Sequence, residues 1–202
     1  MNAELKHAEL QALAAEYHDY FSIAHPIVIN VRDCAQPLPD EQQFLAQIPA
    51  PFLLAGEVTQ LNMSGLRALN RLGELAEELA KYLQQQAQKI DLLLHYVLQQ
   101  QDNQSERQLT LSYGGAGCCF ISPQAYDPLS ILQIKLFLAE NEGAVFCYGQ
   151  VLSAEQVAAG WQITVVFKRI REQDRELIVR ASLHQQSRQL KLKAAERQQQ
   201  HN

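Results

Sequence analysis

The chain has 202 residues, is 47% hydrophobic and carries a formal charge of −5. That suffices for one domain with an appendage, or for two small domains with packed cores. No apolar run reaches the roughly 18 residues that cross a bilayer, and the charged N-terminus MNAELKHAELQALAAEY lacks the apolar centre of a signal peptide, so a cytoplasmic chain without membrane insertion is expected.

Residues from about Asn2 to Tyr20 predict an amphipathic helix with Asn2 as N-cap. Ile23 to Val31 then switches to β-branched residues and predicts one short strand, with Pro26 near its beginning. Cys34 to Pro51 contains Pro37, Pro39, Pro49 and Pro51, a loop holding one short helix begun at Asp40, and Phe52 to Gln60 predicts a further helical piece.

The stretch from Ser64 to Gln101 has no proline, and its two glycines lie near its start, so it predicts one rod on the order of 57 Å long at about 1.5 Å per residue. Leu69, Ala76, Leu83, Ile90 and Val97 fall at heptad position a, and Leu72, Leu79, Gln86, Leu93 and Gln100 at d. Eight of these ten are apolar, the pattern of a coiled coil. Leu75 and Tyr82 at g, with Ala80, Ala87 and Leu94 at e, widen the stripe toward bundles of more than two helices. Gln86 and Gln100 are the kind of seam residue that fixes register and oligomer number. A homo-oligomer is therefore expected, the alternative being an intramolecular hairpin with other helices of the chain.

The polar run DNQSER at Asp102 to Arg107 ends the rod, and the next five runs, QLTLSY, GCCFIS, ILQIKLFLA, AVFCYGQVLS and WQITVVFK, read as strands separated by turn residues. With the strand near Ile27 they make six, an antiparallel sheet or small barrel. From Glu172 to the C-terminus the sequence returns to helix, with Leu177, Ile178, Ala181 and Leu183 suited to packing its first half on the barrel. The fold class is thus α+β, with the barrel assigned to 23–33 and 106–190, the opening helix to 1–22, and a helical insertion to 40–103.

The charge is unevenly spread. From Lys168 to Arg197 there are nine Lys or Arg against four Asp or Glu, a surplus of +5 that leaves −10 on the remainder. Nucleic-acid binding by this basic tail is disfavoured by the overall acidity and by the lack of a basic strand studded with aromatics. An enzyme is not expected, because no nucleophile with its base, no carboxylate pair in a cleft and no metal cluster can be read. The histidines form no HxxxH pair, and His95 at heptad position f is expected to face solvent. Cys34, Cys118, Cys119 and Cys147 lack metal-ligand spacing and read as small buried apolar residues.

The run LSYGGAGCCF at Leu111 to Phe120, the strands after it and the phrase FKRIREQDRELIVR at Phe167 to Arg180 resemble the PilZ domain, a bacterial six-stranded β-barrel with a C-terminal helix. The long heptad helix between the first strand and the rest is similar to a tetrameric subgroup of that family. The resemblance implies a cytoplasmic signalling adaptor in the cyclic di-GMP pathway, a tetramer acting through a protein partner yet to be identified, with no cofactor other than the dinucleotide itself. Family members bind it through RxxxR, just before the first strand, and (D/N)xSxxG in the early barrel. Arginine forks grip phosphates bidentately and stack on guanine faces.

Here no arginine precedes Ile27, where the chain reads Tyr20, Phe21, Ser22, Ile23, Ala24, His25, and the RxxxR spacings at Arg67/Arg71 and Arg171/Arg175 fall within helical patterns. Thr110, Ser112 and Gly115 align with the second motif, although a threonine hydroxyl lacks the two-point edge of Asp or Asn. The same stretch also reads as a tight strand connection through Gly114, Gly115 and Gly117. Losing two arginines removes on the order of 6 kcal/mol, or about four decades of affinity, which predicts weak or absent dinucleotide binding. The alternative is a working receptor that recruits Arg169, Arg171 and Arg175, or arginines of a neighbouring subunit.

Overall fold

The computed structural model describes residues 2–34, 37–55, 74–138 and 142–199. Helix α1 (Asn2–His18) leads to the two-residue strand β1 (Ser22–Ile23) and then to β2 (Val28–Cys34). The single strand expected over Ile23 to Val31 is broken in two around Pro26, whose missing N–H cannot serve a ladder. Asp40 caps α2 (Glu41–Gln47) in a reciprocal capping box with Gln43, and residues 50–55 form the helical piece α3. Of the expected rod, Glu74–Gln99 is observed as α4, 26 residues long. Leu69, Leu72 and the rest of 64–73 lie outside the described residues, as do Arg67, Arg71 and residues 56–60.

A single 3-10 turn, Gln104–Glu106, separates α4 from the remaining strands: β3 (Arg107–Gly114), β4 (Gly117–Ser122), β5 (Ile131–Phe137), β6 (Ala144–Val157) and β7 (Gly160–Arg169). Helix α5 (Glu172–Gln199) follows, 28 residues long. All strand pairs are antiparallel, in the order β3-β2-β5-β6-β7-β4, and the pairing of β4 back to β3 closes a six-stranded barrel that β1 extends at one corner. Closure needs curvature, and register shifts between Tyr148 and Gly149 and between Val151 and Ser153 supply it where β6 crosses β7.

Strict alternation along β5 sends Leu132, Ile134 and Leu136 into the barrel, where they meet Ile29, Phe120, Val145, Cys147, Ile163 and Val165. The opposite face of β6 is apolar too. Ala144, Phe146 and Tyr148 point outward into a second cluster formed with Phe44 and Ile48 of the α2 segment, Phe52 of α3 and Leu98 of α4. Phe146 is its centre, with ring centroids 6.3 Å from Phe44, 6.2 Å from Phe52 and 5.7 Å from Tyr148. Helix α5 packs Leu177, Ile178 and Ala181 on the barrel as expected, but Leu183 is exposed, because about 100° per residue turns it to the side of the helix away from buried Ile178, Ala181 and Ser182. Cys118, Cys119 and Cys147 are buried, whereas Cys34, at the end of β2, is half-buried against the outer cluster.

The base of α4 is fixed by polar contacts. Buried Asn30 of β2 donates to Asp102 Oδ1 (2.8 Å) and to the Asn103 carbonyl, and its own carbonyl accepts from Asn103 N–H at 2.8 Å. Lys135 Nζ donates to the Gln101 carbonyl just past the helix, placing a cation at the negative end of its dipole. Arg107 grips Asp102, and Arg32 grips Glu106.

Barrel closure through β4 tolerates no side chain at Gly117, where a Cβ would overlap the Val165 carbonyl oxygen. Gly117→Ala is therefore expected to lower unfolding stability by about 1–3 kcal/mol, read as a reduced urea midpoint with little change in m.

Candidate functional site

The motif-like face of β3 and β4 is the first place to look for a ligand. Thr110 is buried, and its hydroxyl is fully engaged: Oγ1 accepts from Ile27 N–H at 2.9 Å and donates to the His25 carbonyl at 2.8 Å. The Thr110 N–H in turn donates to the Ile27 carbonyl, so this residue stitches the break between β1 and β2 onto β3. A threonine fits that clamp, since its single hydroxyl offers one donor and acceptor to one backbone donor and one backbone acceptor.

A bulge between Thr110 and Ser112 then re-aims the strand. Burial raises the Tyr17 phenol above its ordinary value, while a hydrogen bond from Ser112 works in the opposite direction. A Cβ on Gly115 would overlap the edge of the Tyr20 ring and a Val179 methyl, so the bare backbone there is already covered. Tyr113, the next inward residue, has its phenol pushed up to about 12 by burial, with the Glu142 carboxylate adding to the effect.

The three candidate arginines are brought to different places. Arg175 lies with Cζ 5.4 Å from the centre of the Tyr20 ring and donates to the Gly115 carbonyl, joining one cation to the motif face. Arg169 Nε donates to the Pro39 carbonyl at 3.0 Å, tying β7 to the loop before α2. Arg171 forms a fork on Asp174, with Nε–Oδ2 at 2.7 Å and Nη2–Oδ1 at 2.8 Å, and its Nη2 also reaches the Phe52 carbonyl. Both partners of that pair are largely buried, and burial raises the Asp174 carboxyl above its ordinary value against the pull of Arg171.

Beside Arg175 a groove of about 400 Å³ runs along α5, lined by Tyr20, Val179, Arg180 and the carboxylates of Glu172 and Glu176. The groove thus sets the Arg175 and Arg180 guanidinium groups beside two carboxylates. No group of three or more metal-ligating side chains occurs among the described residues, and no helix among them is long and apolar enough to cross a membrane.

Helix α4 is the second candidate. Leu79, Leu83, Ile90, Leu93 and Val97, on the expected seam, are exposed, as is Gln100, and Gln86 is half-buried. Ala76 belongs to α4 by its backbone, and its side chain lies outside the described residues. Among the described residues the edge of the helix that meets the outer cluster carries Leu94 and Leu98, so Leu94, expected to widen the free stripe, is half-buried there instead. His95 belongs to that edge: it is half-buried, bonds Gln99 at 2.8 Å in a solvent-exposed contact and helps line a cavity of about 270 Å³ at the rod base. Tyr17, Tyr20, Asn30 and Asp174 carry no sequence signal for these contacts, except that Arg171 and Asp174 stand three apart at a helix start.

A closed six-stranded barrel followed by a packed helix defines the class of protein. Residues 83–184 match the family model described as PilZ domain, half of the chain, and the protein belongs to that family. A search of curated proteins finds no match. Among solved structures, a pathogenic protein from Xanthomonas campestris, described as a tetrameric PilZ domain self-assembled via an unusual helical bundle, aligns at TM-score 0.56 and 15% identity, covering 88% of this chain and 96% of that one. The Bacillus subtilis inhibitor of motility aligns at TM-score 0.38 and 14% identity over 41% of this chain and 42% of its own. Apo MrkH of K. pneumonia aligns at 0.34 and 17% over 45% and 43%.

Thr110→Val keeps the shape and strands the buried Ile27 N–H and the part-buried His25 carbonyl, so it is expected to cost about 1–3 kcal/mol in denaturant unfolding. Thr110→Asn, which restores the family's amide, is expected to destabilise as well and to leave dinucleotide affinity unchanged in calorimetry.

Proposed function

We propose that this chain is a non-enzymatic PilZ-domain adaptor of cyclic di-GMP signalling that assembles as a homotetramer through α4 and acts through a protein partner, with weak or no binding of the dinucleotide itself. The exposure of the seam carries the reading. Leu92, Leu93 and Tyr96 are 61%, 68% and 62% exposed, and Ile90 and Val97 are open beside them. At about 100° per residue these side chains and Leu83 spread over roughly half of the helix circumference. A two-stranded coiled coil covers a narrower stripe, whereas each helix of a four-helix bundle meets two neighbours. A surface of this size and character marks an interaction site. The tetrameric helical bundle described for the Xanthomonas campestris relative supports the same stoichiometry here.

Weak ligand binding is supported by the commitments of the arginines. Arg169 and Arg171 bond backbone carbonyls of the loop before α2 and of α3, and the Arg171 fork is filled by Asp174. A receptor reading draws on one observation, the contact of Arg175 with the Gly115 carbonyl, and it requires the Arg175 guanidinium to leave the face of the Tyr20 ring.

Light scattering is expected to give the mass of four chains. Ile90→Glu with Leu93→Glu places charges in the bundle centre and is expected to weaken association by at least about 100-fold, leaving a monomer with an intact barrel by circular dichroism. A wild-type monomer would sink the assembly reading. Calorimetric titration of the wild type with cyclic di-GMP is expected to give a dissociation constant weaker than about 10 μM, and tighter binding favours the receptor instead.

A further inference from the structure

Among residues 4–18 of α1 only Leu13 is buried, and Leu5 stands in solvent. Beneath the helix lies a cavity of about 460 Å³, between Glu9, Leu13 and Glu16 on one side and Leu38, Leu129 and Ile131 on the other. Its polar ties are few and partly solvated: Glu16 to Lys168 at 2.8 Å and Glu9 to Gln150 at 3.2 Å. Solvated ion pairs of this kind hold weakly. Beyond these, attachment passes to two aromatic rings. Tyr17 sits against Ser112, with its ring 3.1 Å from the place a Cβ of Gly117 would take, and Tyr20 covers Gly115 under the Arg175 guanidinium.

We propose that α1 and the residues up to Tyr20 form a detachable strap, which keeps the Gly115–Gly117 face of the barrel occupied from within and opens as a unit while the barrel stays closed. Lifting it breaks no strand pairing, because the first ladder residue after it is Ser22, opposite Gly114. The barrel below is continuous, with six residue pairs between β4 and β7 and further pairing through β6. An element with little buried apolar surface and solvated ties opens at lower free energy than the ladder it rests on. What the strap supplies is specific: a carboxylate to Lys168 and flat rings to the glycine floor and to Arg175. In the closed state the hydroxyl of Ser112 and the guanidinium of Arg175 thus have internal partners, which makes the contact autoinhibitory for that face. The inference does not rest on assembly through α4, so its failure and the failure of that reading are separable.

Hydrogen exchange by mass spectrometry on the full-length protein tests it. The α1 amides are expected to exchange at least about 100-fold faster than those of β6 and β7, and Tyr20→Ala is expected to speed them a further tenfold or so with the barrel rates unchanged. A Ser112→Cys thiol, read by peptide mapping, is expected to label faster than Cys118 and Cys147, and faster again in the Tyr20→Ala background. If α1 exchanges together with the β6 and β7 amides in the wild type, or if the Ser112→Cys thiol labels no faster than Cys118, the strap does not open on its own and the proposal is overturned.

Discussion

The docking of Phe146 against the helical segment determines much of the architecture. A barrel strand with one apolar face needs only the interior, but β6 opens with Ala144, Val145, Phe146, Cys147 and Tyr148, apolar on both faces. Its outer side must be covered, and the chain covers it with residues inserted between β2 and β3: Phe44 and Ile48, then Phe52, then Leu98. Tyr148 adds direction by donating its hydroxyl to Gln47 Oε1 at 2.5 Å while accepting from Gln133. Because the same cluster that roofs the barrel also holds Leu94 and Leu98, the end of α4 is immobilised by apolar packing and by the Asn30 clamp together. The remainder of α4 is thereby directed away from the core that could have covered it.

The basic tail acquires a structural meaning in this frame. Lys168 pairs with Glu16 of α1, Arg169 reaches the Pro39 carbonyl, Arg171 locks Asp174 and the Phe52 carbonyl, and Arg175 reaches Gly115. These four consecutive cations tie the α1, α2, α3 and β3 regions to the junction between β7 and α5. The Arg171–Asp174 pair has the strongest structural role, since removing one partner would leave a buried charge with nothing opposite it. Of these four cations, Arg169 and Arg171 hold the insertion to the barrel, Lys168 holds α1 and Arg175 holds the Gly115 turn.

Period and turn chemistry made most of the elements legible. The alternation in ILQIKLF, the glycine-rich break before GCCFIS and the Asp40 cap each mark a local rule that the fold obeys. What stayed hidden is what depends on distance in space. The wholly apolar AVFCYG run signalled burial on both faces without naming the second cover, which comes from Phe44, Ile48, Phe52 and Leu98, far back in the chain. Thr110 read as a degenerate ligand residue because its neighbours matched a motif, whereas its hydroxyl serves two backbone groups across the gap at Pro26. Leu183 was grouped with the packing positions although about 100° per residue turns it away from Ile178, Ala181 and Ser182, the residues that α5 buries.

A division of labour within the proposed assembly follows from where the apolar surface is left. The barrel interior is filled, and its motif face is occupied by Tyr17, Tyr20 and Arg175. Along α4, by contrast, exposed leucines, Ile90, Val97 and two tyrosines wait without cover among the described residues. Hydrophobic burial scales with area removed from water, about 25 cal/mol per Å², and needs no ligand to be realised. A chain arranged in this way therefore has its principal unsatisfied driving force in contact between helices, with signal recognition left to whatever the assembled barrels present outward.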